Sequence, residues 1–192
     1  MRGFLTFVTM IVLLIAGGLG AAYYFLTQPA DTPIAATPIP TSAAAVSSFD
    51  NKVGTLVAAP RMMATTIELT DAELTSKMSQ LIAAEQARYG ADVQNVQVSS
   101  RDGRVFVGGN VKTNDIPLRV NLVIVTVPEA RDGRLHLRVE RVEAGRFPVP
   151  DNLRAQIVGL IENDDAINSG LPITAERVEA QTGRLLLSGR PK

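Results

Sequence analysis

The residues with the chemistry to act on a substrate are few, and they do not gather. The chain holds one histidine, His136, and no cysteine, which removes disulfides, thiolate metal sites and cysteine nucleophiles together. His136 lies between Leu135 and Leu137 on an alternating stretch, with Arg138 and Glu140 as same-side neighbours. A catalytic histidine needs a nucleophile to serve or an acid to orient it. No spacing marks such a pair, and a solvated strand face accounts for this one. A zinc site would have to be completed with carboxylates, which is unusual. Glu162, Asp164 and Asp165, with Asn163, cluster at the end of an amphipathic stretch. Oxygen ligands in such a run can hold calcium, but the glycine-bearing loop of an EF-hand is missing, and solvated acids are the plainer account. Gly108-Gly109 falls inside a strand pattern, where a bulge or bend is expected instead of a phosphate cradle. No Walker motif, dinucleotide fingerprint or nucleophile elbow occurs. The expectation is a protein that is not an enzyme and carries no cofactor and no metal.

The elements that could position a binding site begin with a membrane segment. From Phe4 to Leu26 no residue is charged, and these 23 residues would span about 34 Å as a helix. Tyr23, Tyr24 and Phe25 stand where an aromatic belt would sit. Arg2 precedes the run and the next basic residue is Lys52, which puts the N-terminus in the cytoplasm and the rest outside. A cleaved signal peptide would have a shorter apolar run with small residues behind it. The segment therefore reads as a single-pass anchor in the cell membrane. Gln28 to Pro60 is rich in Ala, Pro, Thr and Ser, with Pro at 29, 33, 38 and 40, and reads as a solvated tether. The expected division is 1–27 for the cytoplasmic N-terminus and anchor, 28–60 for the tether, and 61–192 for an outer domain. Lys plus Arg and Asp plus Glu number 19 each, a balance with no footprint for nucleic acid and no polybasic stripe for headgroups.

Within the outer domain, Thr65 to Leu69 alternates as a short strand, and Thr70-Asp71-Ala72-Glu73 matches a helix capping box. Leu74, Met78, Leu81, Ile82 and Tyr89 then recur at helical spacing. Hairpins follow, turned at Asp102-Gly103 and Asp132-Gly133, the strongest short-range turn signal. Gly145 to Pro150 breaks the pattern. A second helix carries Leu153, Ile157, Leu160 and Ile161 on one face, and a last hairpin turns at Thr182-Gly183. The predicted order is β-α-β-β-β-β-α-β-β, an α+β domain with a curved, largely antiparallel sheet packed on helices.

Leu122-Val123-Ile124-Val125 is apolar on both faces, whereas a half-exposed antiparallel strand should be polar on one. Something must cover both faces. A central strand with a helix on each side, or in a sheet wrapped around one helix, explains this, and so does an apolar groove lined by Leu74, Met78, Leu81, Leu122, Ile124 and Leu137 that admits an acyl chain.

The run Ile67-Glu68-Leu69-Thr70-Asp71-Ala72-Glu73-Leu74, the valine-rich hairpins, and Asp132-Gly133-Arg134-Leu135 leading to Gly145-Arg146-Phe147-Pro148-Val149-Pro150 carry a resemblance. Together with the anchor, they resemble the YpmS-like bacterial membrane-anchored proteins of uncharacterised function. That pattern is in turn similar to tubular lipid-binding (TULIP-like) domains, in which a helix lies in a curved sheet and lipid binds between them. The resemblance implies a lipid or other hydrophobic ligand and transfers no catalytic residue. Two functions stay open: an extracytoplasmic lipid-binding domain, and an envelope scaffolding module that docks a protein partner.

Overall fold

The computed structural model describes residues 24, 34, 37–60, 63–89, 91–113, 119–149, 151–162 and 173–192. The expected anchor, Phe4 to Leu26, lies outside the described residues apart from Tyr24. Among the described residues no helix is long and apolar enough to cross a membrane.

The first described helix, α1 (Ala43–Ala58), stands in the stretch whose composition reads as tether. The prolines stop at Pro40, and Ser42 caps the helix with its hydroxyl accepting from the Ala45 amide at 3.1 Å. Phe49, Val53 and Leu56 follow at i, i+4 and i+7, and Leu56 is fully buried. The tether reading is corrected here: a low-complexity composition hid an ordinary amphipathic helix.

Strand β1 (Thr65–Thr70) runs into α2 (Asp71–Tyr89) through the capping box, which forms as expected. The Glu73 amide donates to Thr70 Oγ1 at 3.3 Å, and the Thr70 amide donates to Glu73 Oε2 at 2.8 Å. Glu73 also accepts from Ser48 and Lys52 of α1, so one carboxylate ties both helices to β1.

Strands β2 (Ala91–Arg101), β3 (Arg104–Thr113), β4 (Val120–Arg131), β5 (Arg134–Ala144) and the short β6 (Phe147–Pro148) form an antiparallel five-stranded sheet in chain order. Asp102-Gly103 and Asp132-Gly133 have positive φ at both residues, as tight hairpin turns demand. After α3 (Asp151–Glu162), β7 (Ile173–Gln181) and β8 (Arg184–Pro191) join β1 in a second sheet, ordered β1-β8-β7. The expected single sheet is thus two, and the order gains α1 and β6. The sheets are joined by turns. The Gly103 amide donates to the Ala180 carbonyl, the Gly183 amide to Ser100, and the Ala175 amide to Gly133, at 2.9–3.1 Å.

Helix α2 lies along β2, the edge strand. Thr75 Oγ1 accepts from the Val98 amide at 2.9 Å and donates to the Val98 carbonyl at 3.1 Å, while Asp71 accepts from the Ser100 amide. These bonds close an edge that would otherwise invite another strand. The main core sits between α1, α2 and the two sheets, around Leu56, Ile67, Leu69, Val98, Val105, Ile173, Leu185 and Leu187.

Gly108 has a specific task on the opposite face of the five-stranded sheet. A Cβ there would stand 2.0 Å from Ile34 Cδ1, so only glycine lets Ile34 rest on Phe106, Val123 and Val125. Farther along, Gln97 grips Ile39 by donating to its carbonyl at 3.1 Å and accepting from its amide at 2.6 Å. Gly108→Ala is expected to lift Ile34, the far end of a flexible side chain, and to press on the Leu122 carbonyl oxygen, 3.0 Å from the added Cβ. Losing about 1.4 kcal/mol of packing would speed exchange of the Ile39 amide roughly tenfold by hydrogen-exchange measurement.

Candidate functional site

The two faces of β4 are covered differently, and the difference defines the site. Val123 and Val125 face outward with Phe106 and are 1–6% exposed beneath Ile34. Leu122 and Ile124 face the helices, and there they remain only half-buried, as do Val107 and Gly109 beside them on β3. Pairing places Val107 opposite Ile124 and Gly109 opposite Leu122, so the four make one continuous apolar strip.

Helix α2 packs on β2, and α3 packs on β5, with β3 and β4 as the floor of a trough between them. Leu122 and Ile124 lean on the Val139, Val142 and Val149 cluster, and Val107 on the main core. Val158 and Ile161 of α3 pack over Val139 and Val142 along one side. Leu74 and Met78 of α2 pack into the main core along the other.

The six residues read as groove lining are therefore distributed over this trough unevenly. Leu122 and Ile124 form its floor, with Leu137 on the same face of β5, half-buried and paired with Pro128. Leu74 and Met78 belong to the main core beside it, and Leu81 stands 51% exposed farther along α2. Gly109 and Val107 were not singled out, although their alternation with the outward Phe106 and Gly108 is visible in the sequence.

The other candidates do not converge. His136 lies on the outward face of β5, paired with Glu129 of β4. Among the described residues no group of three or more His, Asp or Glu could hold a metal ion. Asn163, Asp164 and Asp165 lie outside the described residues. Gly108-Gly109 sits within β3, where Gly108 seats Ile34 and Gly109 faces the trough.

A family model described as LmeA-like phospholipid-binding matches residues 29–190, which takes in α1, both sheets and both walls of the trough. The chain belongs to that family. It is accordingly a lipid-binding domain, and the lipid-binding part of the resemblance is upheld; membership among the YpmS-like proteins is not supported by the match. No curated protein matches the chain. The LmeA-like match begins well before Pro60, in keeping with α1 as part of the fold.

Proposed function

We propose that this LmeA-like protein is held at the outer side of the cell membrane by Phe4 to Leu26 and seats a phospholipid acyl chain in the trough between α2 and α3. The observation that carries the reading is the half-buried apolar strip of Val107, Gly109, Leu122 and Ile124. A run of incompletely covered apolar side chains between two helices is the kind of surface that takes an apolar ligand. About 0.8 kcal/mol per buried methylene lets ten or more methylenes offset an association cost of roughly 4–15 kcal/mol. Leu137 extends the floor, and Leu81 stands exposed on α2 beyond the main-core residues Leu74 and Met78. No step of bond making is needed. Docking of an envelope protein by strand addition is the weaker reading, because Asp71 and Thr75 close the β2 edge and Gly133 bonds to β7.

The test is native mass spectrometry with lipid extraction on the full chain. A stoichiometric phospholipid adduct is expected, lost in Ile124→Asp and at least tenfold weaker in Leu81→Asp, whose exposed site carries little folding cost. A clean unliganded mass from folded, detergent-exchanged protein presented with phospholipid would sink the proposal.

A further inference from the structure

The outward face of the five-stranded sheet carries a feature that lipid seating in the trough does not use. Register between β4 and β5 slips by one residue between the Val125–Arg141 and Thr126–Val139 pairs, leaving Glu140 as a bulge. Bulges re-aim side chains and recur beside functional sites. This one brings Glu140 onto the outward side with Arg141, next to Arg101 and Arg104 from the β2–β3 hairpin. An open pocket of about 520 Å³ results, lined by Arg101, Arg104, Phe106, Glu140 and Arg141. Three guanidinium groups line it with the Glu140 carboxylate, while Glu143 pairs with Arg141 and Asp71 feels the charge of Arg101.

Each arginine of the pocket has a partner, and two of those partners are carboxylates. Arg101 lies over the Phe106 ring, 4.1 Å from its centroid. Arg104 Nε donates to Glu140 Oε2 at 2.6 Å, and this bond foremost holds the Glu140 carboxyl below its ordinary range. Arg141 Nε reaches Glu143 at 2.9 Å, and Arg154 donates to the Glu140 carbonyl at 3.1 Å. Arg104 and Arg141 side chains are 44% and 57% exposed. Exposed ion pairs are worth about 0–1 kcal/mol, so both cations can turn to a better anion. A phosphate presents several acceptor oxygens in the geometry a guanidinium fork fits best.

Chain length says which phosphate is at hand. Phe106 lines this pocket and also bears Ile34. From Leu26 to Ile34 there are eight residues, at most about 28 Å of chain. With the anchor ending at Leu26, the outward face lies within that reach of the bilayer. We infer that the Arg101–Arg104–Arg141 pocket binds the phosphate of an anionic phospholipid headgroup in the membrane, docking the outward face while the trough faces away. The inference rests on the anchor of the proposed function, and it concerns a lipid other than the one in the trough.

The test uses the full chain in nanodiscs of phosphatidylcholine alone or with phosphatidylglycerol, reading arginine modification by phenylglyoxal with mass spectrometry. Arg101, Arg104 and Arg141 should react at least fivefold more slowly in the phosphatidylglycerol discs, while Arg177 and Arg190 of the other sheet react equally in both. Added salt should shrink the difference, and Arg101→Gln with Arg141→Gln should remove the protection at Arg104. Equal reactivity in both discs overturns the inference. So does protection by inorganic phosphate alone, which would assign the pocket to a free anion. The trough is read separately, since the arginine variants should keep their acyl adduct in native mass spectrometry. A chain that enters discs of neither kind refutes the anchor and the docking inference with it, while the acyl adduct in native mass spectrometry still reads the trough.

Discussion

A fragment cut at Pro60 is expected to emerge without a cooperative fold, while one cut at Pro29 unfolds in a single transition. The shorter fragment loses α1, and with it Leu56, Phe49 and Val53 from the main core. Leu56 alone is fully buried, and losing such a side chain costs about 2–5 kcal/mol. Ile67, Leu69 and Leu187 would face water where the helix lay. Glu73 would also lose Ser48 and Lys52, keeping only its bonds within the cap. With Phe49 and Val53 added to Leu56, the loss rivals the lower end of a typical domain's stability, about 5–15 kcal/mol. Near-ultraviolet circular dichroism and urea titration decide it. A fragment from Pro60 with the midpoint and slope of the longer one would show that α1 lies outside the cooperative unit.

What was legible in the sequence divides along physical lines. The capping box at Thr70 and the Asp-Gly hairpins were readable because their chemistry is local: a side chain meets a backbone group three residues away, or two residues adopt positive φ. The double-faced strand at Leu122 to Val125 was also readable, since period-two alternation reports how many faces are covered. What covered them was not. Ile34 reaches Gly108 across more than seventy residues, and the sequence shows only a glycine pair and an isolated isoleucine. Helix α1 was hidden by its neighbours, because four prolines and a run of small residues colour a window that its own Phe49, Val53 and Leu56 contradict. The arginine pocket had no signal at all. It depends on a one-residue slip at Glu140, and a balanced net charge conceals a cluster that only pairing assembles.

The trough and the outward pocket share one sheet and place different demands on it. For an acyl chain to enter as proposed, α2 and α3 must stay apart on β2 and β5. Helix α2 is held to β2 by polar bonds, Thr75 to Val98 and Asp71 to Ser100, and by Leu74 and Met78 in the main core. Directed bonds set a distance as well as an energy.

Glu73 is where this arrangement is most exposed to a single change, and Glu73→Gln is expected to cost on the order of 3 kcal/mol. The side chain is 6% exposed, and burial alone would raise its pKa. Hydrogen bonds from Lys52, Ser48 and the Thr70 amide outweigh burial and hold it at about 2, against an ordinary 4.5. A depressed carboxylate stabilises the fold fully above pH 4.5 and loses that contribution as pH falls toward 2. The fall from 4.5 to about 2, at about 1.36 kcal/mol per pH unit, gives the stated cost, or a fall in Tm of roughly 6–12 °C for a domain of this size. Asp71 works the other way: burial, outweighing its Ser100 and Ser99 bonds, raises its carboxyl above 3.8. Its contribution is complete at low pH and declines as pH rises, and it is the same in both proteins. Urea midpoints for the parent and Glu73→Gln, taken from pH 7 to pH 2, therefore isolate Glu73 in their difference. The gap should be widest at neutral pH and close as both reach pH 2. A gap that stays constant with pH would mean the loss is one of packing and not of charge, and the carboxylate would no longer be what joins α1 to α2.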